Sequence, residues 1–364
     1  MSNVWVLGAG FSQPLGAPVT ANLFSQKTAN RMRTEFEGAP GYTDIADVAG
    51  YYAQPGADGT VTPSPDSPWS SVEEFLAVVE HAAQARTDDP ISRLVSQRLP
   101  NADLQKLPKM VRRYLAMACS YFIPRDTAGL ANREAWRPYF KWKSRLDAGD
   151  TIITFNYDEV VETVCENDIN ALAPGWTGEL DPSRPTLLKL HGSAGWARTS
   201  KDVQAVGARE VVRLDLDPLI GVPGPSKPLV AKHCADLWGL ASTALSKAES
   251  VIIVGYRFAE TDDDAKAHIL GALNKNASEP LTVRIALGPD VNHVDVRRVS
   301  GLCEWALRAR RPRLLDQVGS SRDAVLADAK TPVIDAVPMF SQDFIALAER
   351  WQLSHWRPRV GAAR

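Results

Sequence analysis

The sequence predicts an α/β protein: a Rossmann-like parallel sheet with helices on both faces and an inserted, mostly helical module. Three observations carry that expectation. Short apolar, β-branched runs such as Val4-Trp5-Val6-Leu7 and Val251-Ile252-Ile253-Val254 recur between helical patterns, the rhythm of a parallel sheet covered on both sides. The first run breaks into Gly8-Ala9-Gly10-Phe11-Ser12 and then Gly16-Ala17-Pro18 before a helical pattern opens at Leu23-Phe24. Across residues 37–147 the strand signal stops and helical stripes take over. The expected division is therefore a Rossmann-like domain from residues 1–36 and 148–364, with 37–147 inserted into it.

In chain order, Val4 to Leu7 reads as a buried strand. The glycine turn after it has the form used to hold phosphate, because glycines let backbone approach an anion and a helix start offers N–H groups. The spacing is Gly-x-Gly-x5-Gly, which departs from the dehydrogenase pattern. A helix is expected over about Val19 to Phe36. Gly38 to Pro68, rich in glycine and proline, reads as a long surface loop. Ser70-Ser71-Val72-Glu73-Glu74 supplies capping-box chemistry for a helix through Phe75, Leu76 and Val79. Helices follow at about Leu104 to Phe122 and Arg133 to Leu146.

The βα rhythm resumes with strands at Thr151 to Phe155 and Thr186 to Leu190. Val211 to Leu214 reads as an edge strand, followed by a Pro/Gly loop from Pro218 to Pro228. A helix from Leu229 to Ser246 feeds the strand Val251 to Val254. A helix near Asp262 to Leu273 and the strand Leu281 to Leu287 come next. Helices at His293 to Arg308 and Gln342 to Trp351 close the pattern, with a short strand at Val333 to Val337.

Composition narrows the function classes. With 45% hydrophobic and 23% charged residues, the chain reads as globular and ordered. A net charge of −2, from 41 basic and 43 acidic residues, gives no reason to expect direct nucleic-acid or membrane binding. The basic stretch Arg308 to Arg313 reads as a solvated helix end. Cys119, Cys165, Cys234 and Cys303 form no Cys-x-x-Cys pair, so no zinc site is expected. Beginning on a core strand, the sequence suggests a cytoplasmic protein with reduced thiols.

In an open parallel sheet, ligands sit beyond the carboxyl ends of the strands. Five predicted ends carry unusual residues: Gly8 to Ser12, Asn156-Tyr157-Asp158, His191-Gly192-Ser193, Gly255-Tyr256-Arg257-Phe258 and Gly288-Pro289-Asp290. Taken singly, Asp158, Asp262 and Asp290 are ordinary caps or turn residues. His191 differs from the other histidines because it follows an apolar strand at the ligand edge. It is the candidate general base, with Asn156 as neutral orienter of a water or sugar hydroxyl. The acidic run Asp262-Asp263-Asp264 suits a helix N-terminus, and no metal is expected.

Gly8-Ala9-Gly10-Phe11-Ser12, Thr154-Phe155-Asn156-Tyr157-Asp158 and Lys189-Leu190-His191-Gly192-Ser193 resemble, in order and spacing, the sirtuin (silent-information-regulator) superfamily. The likeness is closer to its bacterial sirtuin-like branch, which also carries a Gly-Tyr-x-Phe-x3-Asp segment, here Gly255 to Asp262. The resemblance implies an NAD-binding domain that cleaves NAD, as substrate, at the nicotinamide–ribose bond. It implies that Ala9, Gly10 and Ser12 line the phosphates and nicotinamide ribose, with Gly8 and Phe11 in the same turn. Asn156 would orient water or a ribose hydroxyl, Asp158 would contact the carboxamide, and His191 would be the base. Gly255 and Asp290 would lie toward the adenosine half, and Tyr256 is a further candidate for cofactor binding.

Two departures from the deacylases shape the expected reaction. Pro18 is followed by Val19-Thr20 where they carry Asp-Phe-Arg, and their four-cysteine zinc module is missing. The expected activity is therefore NAD⁺ hydrolysis to nicotinamide and ADP-ribose. The branch implies an anti-phage effector that depletes NAD, acting as a homo-oligomer or with a separate sensor or ATPase partner, for example of the HerA type. The alternatives are an idle NAD- or ADP-ribose-binding module, and an ADP-ribosyl transferase or deacylase.

Overall fold

Strand β1 (Asn3–Leu7) is fully buried along its last four residues and sits in the middle of a seven-stranded sheet. The computed structural model describes residues 2–52, 69, 71–82, 90, 93, 97, 103–199, 202–223, 227–259, 262–278, 281–308 and 333–347. The other strands of this sheet are β2 (Thr151–Thr154), β3 (Asn170–Leu172), β4 (Thr186–Lys189), β8 (Ser250–Val254), β9 (Thr282–Gly288) and β10 (Val333–Pro338). Their order is β10-β9-β8-β1-β2-β4-β3, with every neighbour parallel. The chain steps outward from β1 through β2 to the edge strand β3, comes back to place β4 between β2 and β3, and later crosses to the other side of β1 at β8. The switch point of this Rossmann-like sheet thus lies between β1 and β8, where open α/β sheets bind ligands.

Alternation along the strands explains the two covered faces. Val4, Val6, Ile153, Leu188, Val251, Ile253, Val283 and Ile285 share one core with Leu237, Ile269 and Val299. Trp5, Leu7, Ile152, Leu187, Ile252 and Val254 share the other with Trp142, Val160 and Phe344. A side-chain period of two puts neighbours in sequence on opposite faces, so both residues of each pair must be apolar.

The helices in chain order begin with the single turn α1 (Ala9–Ser12), directly after β1. Then come α2 (Gln26–Glu35), α3 (Tyr42–Tyr52), α4 (Val72–Ala82), α5 (Leu107–Ala118) and α6 (Arg137–Lys143). The expected helix over Val19–Phe36 starts at Gln26, after a separate 3₁₀ turn at Thr20–Asn22. The expected loop at Gly38–Pro68 is corrected in its first part. Residues 42–52 are helical because Ile45, Val48 and Tyr52 form one buried stripe; residues 53–68 lie outside the described residues. On α4, Ser71 Oγ accepts the Glu74 N–H at 3.0 Å, one half of the expected capping chemistry.

Helices α2 to α5 share an apolar cluster in which Phe24 stacks on Tyr52 and Tyr114. By contrast, α6 packs against the large sheet, with Trp142 edge-on to Trp5 at 5.7 Å.

A second, three-stranded antiparallel sheet went unread in the sequence: β5 (Gly192–Arg198), β6 (Val203–Ala205) and β7 (Asp217–Ile220), in the order β6-β5-β7. Strand β7 occupies the start of the expected Pro218–Pro228 loop. After α7 (Val160–Cys165), the next helix is α8 (Ala208–Arg213), which replaces the expected edge strand at Val211–Leu214. Ala208, Val211 and Val212 are its buried residues, spaced three and four apart, which is a helical face.

Helices α9 (Lys227–His233), α10 (Ala235–Lys247), α11 (Asp263–Lys275), α12 (Val294–Arg308) and α13 (Ser341–Ala346) complete the description. Arg308 pairs with Glu304 at 2.5 Å on α12, and the rest of the basic stretch lies outside the described residues. Among the described residues, no helix is long and apolar enough to cross a membrane.

An ion-pair bridge fastens the helical cluster to the small sheet. Arg112 on α5 reaches Glu80 on α4 at 2.7 Å and Asp217 on β7 at 2.8 Å. Glu80 is 2% exposed, so losing Arg112 strands a buried carboxylate. Urea unfolding of Arg112→Ala is expected to show a stability loss of about 3–5 kcal/mol; a loss under about 1 kcal/mol would mean the bridge does not fasten these elements.

Candidate functional site

The polar residues at the carboxyl ends of β1, β2, β4 and β8 belong to adjacent strands. Ladder bonds run to those ends: Gly8 N–H donates to Val254 O, Phe155 N–H to Leu7 O, and Leu190 N–H to Thr154 O, all within 3.1 Å.

At the switch point, backbone packs on backbone. A Cβ on Gly8 would lie 2.5 Å from Tyr256 Cα, and one on Gly10 2.8 Å from Gly255 Cα. Gly255, at φ +65°, would place a Cβ 2.5 Å from Phe11 N. The glycines are therefore needed for this contact as well as for any ligand. The amides are spoken for too. Gly10 N–H donates to Gly255 O at 3.2 Å, and Phe11 N–H to Gly8 O at 2.8 Å. Ala9 is exposed beside them. The Phe11 side chain lies in the aromatic core against Tyr139 and Trp142, so only its backbone is at the turn.

Asn156, at the end of β2, is half-buried. Its Nδ2 donates to Gly8 O at 3.0 Å and to Ser12 Oγ at 3.2 Å. Because a carbonyl can only accept, Gly8 fixes the amide's orientation and leaves Oδ1 as the group presented to a ligand or water. The Ser12 hydroxyl lies beside the Asp158 carboxylate and helps to stabilise its charged form. Asp158 Oδ1 accepts the Val160 N–H at 3.1 Å. Burial raises the Asp158 carboxyl above its ordinary range, opposed by the charge of Lys189 and by these contacts. Asp158 thus braces Ser12, and Ser12 braces Asn156. Lys189 is buried behind them, donating to Asp158 O and to Glu162 Oε1 at 2.8 Å.

His191 follows β4, where Gly192 (φ +84°) admits Leu219 O at 2.1 Å from where a Cβ would stand. Its ring meets Phe155 edge-on at 4.8 Å, and Phe155 stacks on Tyr256 at 4.2 Å. One aromatic ladder therefore links the ends of β4, β2 and β8.

His191 Nε2 is 3.3 Å from Asp262 Oδ1, close enough for charge to act although not aligned as a full hydrogen bond. Asp262 also accepts Lys227 Nζ at 2.7 Å and the Tyr256 hydroxyl at 2.9 Å. Burial pushes the Asp262 carboxyl up, but the His191 contact and the Lys227 charge outweigh it and hold the group well below the usual carboxylate range. Lys227 borders a cavity of about 430 Å³ whose wall includes Ser71, Glu73 and Glu74.

Contacts hold Gly8, Gly10, Gly255 and Tyr256 together with Asn156 and Ser12 at the switch point, with Asp158 next to Ser12, while His191 joins them through the rings of Phe155 and Tyr256. Asp290 stands apart at the end of β9, exposed, with Oδ1 accepting the Asn292 N–H at 2.9 Å. Sequence reasoning passed over Asp262 and Lys227. The Gly-Tyr-x-Phe-x3-Asp spacing contained Asp262, but an acid at a helix start had a sufficient local explanation. Among the described residues no cluster of three or more metal-capable side chains occurs.

Residues 150–299 match the model of the SIR2-like domain. That segment holds Asn156, Asp158, His191, Gly255, Tyr256, Asp262 and Asp290. Among solved structures, the chain is similar to Sir2Tm bound to a propionylated peptide, at 14% identity and TM-score 0.31, covering 88% of this chain and 94% of that one. It is also similar to SIR2 in complex with the inhibitor EX-527, 2'-O-acetyl-ADP-ribose and a deacetylated p53 peptide, at 13% identity and TM-score 0.28, with the same coverage. No curated protein sequence matches.

Gly255 tests the backbone contact. Gly255→Ala combines a left-handed backbone, costing about 1–2 kcal/mol, with a clash against Phe11 N. Its thermal unfolding midpoint is expected to fall by about 2–3 °C for a loss of about 2 kcal/mol; an unchanged midpoint would show that the two turns do not touch.

Proposed function

We propose that this sirtuin-like chain is an NAD⁺ glycohydrolase, converting NAD⁺ and water into nicotinamide, ADP-ribose and a proton. What supports this is the placement of Asn156 and His191 after neighbouring strands β2 and β4, joined through the ring of Phe155. Breaking the nicotinamide–ribose bond builds positive charge on the sugar, as in glycoside cleavage. The enzyme must then align a water and remove its proton. Asn156 is suited to the first task, because its amide oxygen is oriented by Gly8 O and Ser12 and accepts a hydrogen bond from water or a ribose hydroxyl. His191 is suited to the second, as a base next to a carboxylate. Nicotinamide leaves as a neutral molecule, so these residues do not have to protonate it.

The physiological role proposed with this activity is NAD depletion in defence against phage. A hydrolase that empties the cell of NAD must be restrained, and self-assembly or a separate sensor such as a HerA-type ATPase would do so. The helical module over residues 37–147 is the proposed contact region, and 1–36 with 148–364 the proposed catalytic domain.

A second reading is an idle module that binds NAD or ADP-ribose without turning it over; since the Gly8, Gly10 and Phe11 amides are already bonded to backbone carbonyls, binding itself is measured in either case. Nicotinamide release from NAD⁺ by purified protein, alone and with candidate activators, separates the two. In the active state, Asn156→Ala and His191→Ala are each expected to reduce the rate at least about 100-fold. Full rates in both variants would overturn the mechanism. Calorimetric NAD binding without turnover in any condition would establish the idle module.

A further inference from the structure

Asp262 begins α11, yet its side chain makes no cap to that helix. A carboxylate at a helix start ordinarily bonds the exposed amides there. Here both oxygens turn inward: Oδ2 to the Tyr256 hydroxyl, and Oδ1 to Lys227 and His191. Asp262 is 4% exposed, so a location chosen for solvation does not explain it. Its partners come from three elements: Tyr256 after β8, Lys227 at the start of α9, and His191 after β4.

We propose that Asp262 is a positioning residue for His191: its carboxylate, immobilised by Tyr256 and Lys227, faces Nε2 and so directs the proton to that nitrogen. Nδ1 is then the lone pair that serves as base. The tautomer of an imidazole is set by the hydrogen bond made by its other nitrogen, and a buried carboxylate beside it also stabilises the imidazolium formed when the base takes a proton. When the substrate-bound site tightens, the 3.3 Å contact shortens into a hydrogen bond.

Two arms test this, and only the kinetic arm rests on the hydrolase reading. In histidine-selective ¹⁵N spectra, neutral His191, assigned by its absence from His191→Ala, is expected to carry its proton on Nε2. In Asp262→Ala that preference is expected to weaken toward the tautomer ratio of a free imidazole, which itself favours Nε2–H. Asp262→Asn keeps the shape without the charge, and supplies the same comparison if the alanine variant does not fold. In the kinetic arm, Asp262→Asn is expected to lower kcat by about 10²–10⁴-fold with KM changed less than about threefold. Wild-type ¹⁵N signals in a folded Asp262 variant would overturn the proposal, as would wild-type kcat in an active one. If the wild type releases no nicotinamide under any condition while the His191 signals shift in the variant, the hydrolase reading fails and the pairing stands.

Discussion

The contact on which the site depends is backbone against backbone at the switch point, where Gly8 and Gly10 meet Gly255 and Tyr256 at distances that leave no room for a Cβ. Two turns this close hold the ends of β1 and β8 at fixed separation. The ladder from β1 through β2 to β4 then carries that fixity to Asn156 and His191. Interiors are close-packed and transmit strain, so a shift of one glycine turn is communicated to side chains on neighbouring strands.

From that contact two polar chains extend. One runs from Asp158 through Ser12 to the Asn156 amide and returns to Gly8 O. The other runs from Lys227 and Tyr256 through Asp262 to His191. Phe155 lies between them, with His191 on its edge and Tyr256 on its face. The aromatic ladder gives each chain a low-dielectric neighbour, where a charge–charge contact is worth more than in water.

Six of the large sheet's seven strands were legible in the sequence because parallel strands buried on both faces are mostly apolar, as in Val251 to Val254; the three-residue edge strand β3, Asn170–Leu172, was too short to leave such a run. The small sheet was not legible. Strand β5 reads Gly-Ser-Ala-Gly-Trp-Ala-Arg, with Gly195 needed because Glu159 and Gly207 press on it and Gly192 because Leu219 O does, tertiary reasons that leave no periodic signal. Val211-Val212 suggested a strand because β-branched pairs favour one; burial on one side of a short helix decided otherwise. Asn156 and His191 were legible by residue type at a strand end. Asp262 was hidden because its position had a local explanation, and only the direction of its side chain sets that explanation aside.

The glycine segment is also held from outside the sheet. Tyr139 donates to Phe11 O at 2.5 Å, Tyr121 to Gly16 O at 2.7 Å, and Tyr114 to Leu23 O at 3.0 Å. Each net bond is modest, about 1 kcal/mol, but all three act on carbonyls of one short stretch. Their donors come from α5, the turn after it, and α6. A movement of these helices would therefore pull on the backbone one residue before Ser12, and Ser12 is one of the two groups that the Asn156 amide bonds to. The helical elements and the polar chain thus meet on one short stretch of backbone, where the three tyrosine bonds end.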